Sequence, residues 1–215
     1  MKIDGPSFSN FVTSRRSERQ MWPAPIPAAD LEAIVNCGLW APSGSNQQPW
    51  HFVVITNRPM VKEFAAAVGA KVNEIRDRIS SASAQRSFDG YTRYLTFFAD
   101  ASALVAAFVE PYRALLERLL ARYAPELSVS TRENASLFSV AAAIENMLLA
   151  AHAYGYAGCW LTGPLIAKDE IEAKIRPAGS WELASLVALG ARLPDREPAT
   201  APPRRARDET VTFIP

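Results

Sequence analysis

Three widely separated runs in this 215-residue chain gather side chains that could do chemistry. The first is Arg15-Arg16-Ser17-Glu18-Arg19. Its guanidinium groups and hydroxyl suit a phosphate dianion, because each guanidinium offers a rigid fork of charged donors. A solvated charged turn between helices is the plain alternative. The second run, Ala41-Pro42-Ser43-Gly44-Ser45-Asn46-Gln47-Gln48-Pro49-Trp50, carries no charge. Its small residues leave backbone N–H groups accessible, and Asn46, Gln47 and Gln48 add neutral donors and acceptors. That chemistry fits one edge of a planar heterocycle and disfavours a phosphate or a metal; an ordinary capped loop is the alternative. The third run is Pro202-Pro203-Arg204-Arg205-Ala206-Arg207. It reads as a flexible basic tail or, stiffened by its prolines, as a second cationic arm closing on the anion held by Arg15 and Arg16.

A hydrolytic reading competes with these. Ser43 or Ser45, with His51 or His152 and an aspartate, could in principle assemble a nucleophilic triad. Against it, no G-x-S-x-G elbow occurs, and Ser43-Gly44-Ser45 does not follow a strand as that motif requires. Neither G-x-G-x-x-G nor G-x-x-x-x-G-K-[ST] is present, which disfavours the usual nucleotide-binding loops. The two cysteines, Cys37 and Cys159, stand far apart without C-x-x-C spacing. No metal site and no disulfide framework is therefore expected.

The elements that must position these runs follow from periodicity. A short helix over residues 8–13, with Ser7 as its cap, leads into the basic loop. Pro23-Ala24-Pro25-Ile26-Pro27 is an extended connector. A helix opened by Asp30 carries Leu31, Ile34, Val35, Gly38 and Leu39 on one face and ends near Ala41-Pro42, where the amide-rich loop begins. A strand over residues 52–55 follows that loop. Helix resumes from Pro59 with Val61, Phe64, Val68, Val72, Ile75 and Ile79 at helical spacing. Residues 80–89, polar and small, read as a mobile loop, and 112–123 as an amphipathic helix. The longest helix spans residues 134–154 and is apolar nearly all round in its middle, so it belongs in a core or against a partner chain. With residues 103–109, 159–162, 183–189 and 210–214, the strands number about five. No repeat or internal linker interrupts the chain, which predicts one domain over residues 1–215.

Composition narrows the function classes. A chain of this size with 49% hydrophobic residues can bury a real core. Its 23 basic and 22 acidic side chains leave a formal net charge of +1, which argues against a nucleic-acid or anionic-membrane binder. No run reaches the roughly 18–20 uninterrupted apolar residues of a membrane span. The first residues lack the long apolar stretch of a secretory signal. A cytoplasmic protein is the expectation.

In order along the chain, these motifs resemble a known family. Arg-Arg-Ser-x-Arg near the N-terminus, a proline-rich connector and a helix precede Ala41-Pro42-Ser43-x-x-Asn46-x-Gln48-Pro49-Trp50 leading into a strand. This combination is similar to the nitroreductase-like flavoproteins. Downstream, Ile144-Glu145-Asn146-Met147-Leu148-Leu149-Ala150-Ala151-His152-Ala153-Tyr154-Gly155 precedes Gly158-Cys159-Trp160-Leu161, as the family's central helix precedes a glycine-marked strand. Residues 80–131 match least.

The resemblance implies an α+β, nitroreductase-like fold: a central, mostly antiparallel sheet of about five strands surrounded by helices, in an intertwined homodimer. It implies FMN bound non-covalently between protomers. Arg15 and Ser17 would hold the phosphate and ribityl end, with Arg16 and Arg19 assisting and Arg205 and Arg207 returning to the phosphate. Pro42, Ser43 and Asn46 would come from the other protomer and border the ring, while the backbone N–H of Thr162 or Gly163 would face flavin N5. Arg93 is the candidate cation near the N1 edge, or else a surface arginine. His51, His152 and Glu145 are not required as acids or bases. NADH or NADPH would be the donor, and a small oxidised, nitroaromatic- or quinone-like molecule the acceptor, in a ping-pong cycle. Residues 80–133 would cover the flavin. A flavin-binding sensor or storage module without turnover, and a serine hydrolase, are the alternatives.

Overall fold

The computed structural model describes residues 3–92, 94–110, 115–127, 135–194 and 200–214. Eight α-helices are described, in the order α1 (Gly5–Ser14), α2 (Ala28–Leu39), α3 (Arg58–Asp77), α4 (Ala82–Thr92), α5 (Leu115–Tyr123), α6 (Ala135–Ala153), α7 (Lys168–Ile175) and α8 (Arg207–Thr210). Four strands, β1 (Trp50–Ile55), β2 (Ala103–Val109), β3 (Ala157–Leu161) and β4 (Glu182–Gly190), form one antiparallel sheet in the order β1-β2-β4-β3.

The sheet is buried on both sides, and β2 shows why its sequence is apolar without interruption. Successive strand side chains point to opposite faces. Ala103, Val105 and Ala107 join the core beneath α2 and α6, packing with Ile34, Ile144, Met147 and Val187. Leu104, Ala106 and Phe108 join the opposite core with Phe64, Val68, Leu186 and Ile171. A strand with no wet face carries no alternation for a reader to see. The register with β4 slips by one residue between Ala107 and Phe108, which pair with Ser185 and Leu183 and leave Ala184 of β4 as the bulged residue.

Helices α2 and α6 cross at a glycine. A Cβ on Gly38 would lie 2.4 Å from Met147 Cε and 3.1 Å from the Ala143 carbonyl oxygen. The absence of a side chain therefore lets the two helices approach closely. Asn146 Nδ2 donates to Cys37 O at 3.2 Å across the same crossing. Helix α6 is long and apolar enough to cross a membrane by length and composition alone. Here Val140, Ala143, Ile144, Met147 and Ala151 pack it into the core, while Leu137 and Phe138 face outward with Leu39 and the 88% exposed Trp40.

Three sequence expectations change. Asp4, not Ser7, caps α1: Ser7 N donates to Asp4 Oδ1 at 2.9 Å, so the helix begins earlier with Pro6 in its first turn. Most of residues 80–89 is not a loop but part of α4, which leans on α3 through Arg76 Nε and Nη2 bonds to Asp89 at 2.7 and 3.1 Å. The sheet has four strands because residues 210–214 do not join it. Thr210 closes α8, and Val211, Phe213 and Ile214 are exposed. A lone strand needs a free edge to pair with, and this tail meets none in its own chain.

Candidate functional site

The basic loop is laid along the outer edge of β3. Helix α1 stops where Arg15 turns to extended backbone (φ −61°, ψ 138°), and Glu18 N then donates to Gly158 O at 3.1 Å. Arg15 Nε faces Glu145 Oε1 on α6 at 3.4 Å. Arg16 Nη1 bonds back to the carbonyls of Thr13 and Arg15 at 2.7 and 2.8 Å. The Arg19 guanidinium lies 5.7 Å from the centre of the Tyr94 ring. Burial pushes the Cys159 thiol pKa up, while Arg19, Arg15 and a Ser17 hydrogen bond pull it partly back. Arg15, Ser17 and Arg19 thus all act on the Cys159 thiol of β3.

The last turn of β3 is pinned by Ser185 Oγ, which donates to Leu161 O at 2.9 Å. Thr162 follows, exposed, and then Gly163, against which the Leu95 side chain closes so tightly that a Cβ would meet Leu95 Cδ2 at 2.3 Å. The stretch just after α4 therefore reaches the site from above, Tyr94 onto Arg19 and Leu95 onto Gly163. Arg93 lies outside the described residues.

The amide-rich loop runs between α2 and β1. Its turn is tied by Asn46 N to Ser43 O at 3.0 Å, Gln47 N to Gly44 O at 3.1 Å and Gln48 N to Ser43 Oγ at 3.0 Å. Ser45, Asn46 and Gln48 have φ of 51°, 52° and 48°. Three non-glycine residues in the left-handed region cost about 1–3 kcal/mol each, strain of a kind that clusters at binding sites. Pro42, Ser45, Asn46 and Gln48 are exposed in the single chain.

The C-terminal arginines are the part least held. Residues 200–214 are exposed along their length. Arg207 stacks 4.8 Å from the Phe213 ring centre, and α8 is closed by local bonds such as Val211 N to Arg207 O at 2.8 Å.

Sequence reasoning missed a network behind the basic loop. Ser14 Oγ and His152 Nε2 stand 2.7 Å apart, Arg192 Nη2 is 2.7 Å from His152 Nδ1, and Arg192 Nε donates to Glu18 Oε1 at 3.1 Å. Arg192 and Glu18 are 174 positions apart, and nothing local to either marks the contact. The Ser14–His152 pair could open a hydrolytic triad, but a triad needs an acid behind the imidazole and here a guanidinium stands there. Ser43 is occupied as acceptor for Gln48 N, and His51 leans on Trp181 with ring centres 5.4 Å apart.

His152 also carries a pH dependence. Burial first, then Arg192, Arg15 and Arg16, hold its pKa below the ordinary 6.5. Above pH 6.5 the imidazole is neutral folded or unfolded. As pH falls, the unfolded chain binds a proton that the folded chain resists, so stability present above 6.5 is lost on approach to the folded value. Urea midpoints at about pH 7.5 and about pH 5 should therefore show a smaller acid loss in His152→Asn than in the parent protein. Equal slopes would remove His152 from the acid response.

Comparison with known proteins gives the family. The nitroreductase-family profile matches residues 12–191. A BluB-like flavoprotein of Clostridium difficile 630 superposes with a TM-score of 0.81 at 28% identity, covering 100% of both chains. The FMN-dependent nitroreductase NfnB of Mycobacterium smegmatis, solved with NADPH, gives 0.69 at 18% identity, covering 97% of this chain and 98% of that one. The oxygen-insensitive NADPH nitroreductase of Helicobacter acinonychis is 26% identical over 191 residues, 86% of this chain and 85% of the relative. An Archaeoglobus fulgidus relative is 39% identical over only 56 residues, 32% of its length. The chain belongs to the nitroreductase family.

Proposed function

We propose that this protein is an FMN-dependent oxidoreductase that moves electrons from NADH or NADPH to a small oxidised acceptor of nitroaromatic or quinone type, working as an intertwined homodimer in the cytoplasm. Residues 1–215 act as one domain. The observation that carries this reading is the lay of the arginine loop along the edge of β3, with Glu18 N donating to Gly158 O at 3.1 Å, on the strand that runs on into Thr162 and Gly163.

The residues present fit FMN. Arg15, Arg16, Arg19 and Arg192 gather in one region, with Glu145 paired to Arg15 and Glu18 to Arg192, a concentration of guanidinium groups suited to a dianion. Arg15 and Ser17 hold the phosphate and ribityl end, with Arg16, Arg19, Arg205 and Arg207 around it. Pro42, Ser43 and Asn46 of the partner border the ring, and the Thr162-Gly163 backbone donates toward its reactive edge. FMN supplies hydride-transfer chemistry when bound, donor and acceptor visiting one cavity in turn. Leu95 and Tyr94 exclude water from above and limit what the cavity admits. The family likeness, the flavoprotein from C. difficile and the NADPH-dependent relative all support the cofactor and donor.

The dimer accounts for the undocked tail. A groove of about 650 Å³ lies beside the open edge of β1, lined by Ile26, Leu31, Val35 and Val54 among others. A partner's Val211, Phe213 and Ile214 fill it and supply the fifth strand, which brings that partner's arginines across the interface. Leu39, Trp40, Leu137 and Phe138 meet their counterparts.

The test is direct. The purified protein should be yellow, dimeric by light scattering, and bleached by NADH or NADPH without oxygen. A colourless protein that takes up no added FMN would overturn the flavin assignment, and a flavin-loaded monomer the shared site.

A further inference from the structure

We infer that His152 and Arg192 are positioning residues for phosphate binding: they brace the arginine loop from behind. The inference rests on the reading of that loop as the phosphate cradle. Arginine has donors only, so the 2.7 Å contact with Arg192 Nη2 makes His152 Nδ1 the acceptor. The imidazole hydrogen then sits on Nε2 and is donated to Ser14 Oγ, 2.7 Å away. Ser14 passes its own hydrogen to Phe11 O at 2.8 Å. Each donor in this chain meets one acceptor, and the Phe11 ring closes over the imidazole at 5.0 Å between centres. The neutral imidazole this requires is the form that burial and the surrounding guanidinium groups favour.

The geometry braces both ends of the loop. At its start, His152 fixes Ser14, the last residue of α1. At its far end, Arg192 fixes Glu18, whose backbone is already tied to Gly158. Glu145 lies two helical turns before His152 on α6, the spacing that puts both on one face, and pairs with Arg15. A run of like charges repels itself. Held from behind, its guanidinium groups keep one arrangement before the anion arrives, so less ordering is needed on binding.

The experiment titrates the full-length flavin-free chain with FMN and, separately, with riboflavin, which lacks the phosphate, following flavin fluorescence. His152→Ala and Arg192→Met should each weaken FMN about tenfold, the worth of one lost hydrogen-bonded support. Riboflavin affinity should stay within about twofold, because the brace acts on the phosphate end only. His152→Asn, whose amide oxygen can still accept from Arg192, should recover most of the loss. Arg15→Ala is the control. If it loses FMN while His152→Ala and Arg192→Met bind FMN like the parent, the positioning role is wrong and the phosphate cradle stands. If Arg15→Ala itself keeps FMN, the cradle falls and the brace with it. Equal weakening of FMN and riboflavin in the His152 and Arg192 variants would mean general loosening and would also overturn the inference. Should His152→Ala fail to fold, Arg192→Met decides, since that side chain is 39% exposed and outside the core.

Discussion

Replacing Arg15 and Arg205 together with alanine is expected to leave the purified protein colourless. Each guanidinium removed takes with it a charge-assisted bond worth about 1.5–3 kcal/mol. Losing both weakens FMN by about two to four orders of magnitude. The double variant should fold, because Arg15 lies on a loop outside the core and Arg205 on an exposed tail. Flavin content after gel filtration checks it, and full occupancy in the double variant would falsify the two-armed cradle. The single Arg205→Ala variant separates the arms: loss there requires the tail to reach the phosphate.

The largest expected effect on stability comes from Phe108→Ala. Phe108 is fully buried opposite the β4 bulge and belongs to the core that includes Phe64 and Leu186. Emptying such a site costs about 3–5 kcal/mol, much of a typical domain's total stability. The urea midpoint should fall accordingly, with Phe108→Leu intermediate. A loss below about 1 kcal/mol would show that β2 does not stand between two packed layers as described.

Much of this arrangement was legible in the residues, for local reasons. The spacing of Leu31, Ile34 and Gly38 marked α2 and its buried face, and all three are buried there. Arg15, Ser17 and Arg19 were legible as a cluster because three positions of an extended loop cannot scatter far. The amide-rich run was legible as a turn, although its left-handed residues are Ser45, Asn46 and Gln48 and not Gly44. What stayed hidden depends on contacts between distant positions. His152 looked like a core histidine, yet it is half-exposed and its partners come from α1 and from just beyond β4. Leu95 carries no motif, and only the fold brings it against Gly163. Residues 210–214 have strand composition without a strand, because composition reports what a segment can pair as and not whether an edge is within its reach.

The crossing at Gly38 restricts how this lineage can change. Any side chain at that position drives into Met147 or the Ala143 carbonyl, and the carbonyl belongs to the backbone of α6. A larger residue at 38 becomes admissible only after residue 147 has shrunk and the helices have drifted apart by a few tenths of an ångström. Position 38 lies in the last turn of α2, while position 147 shares its helix with Glu145 and His152. The two positions must then vary as a pair.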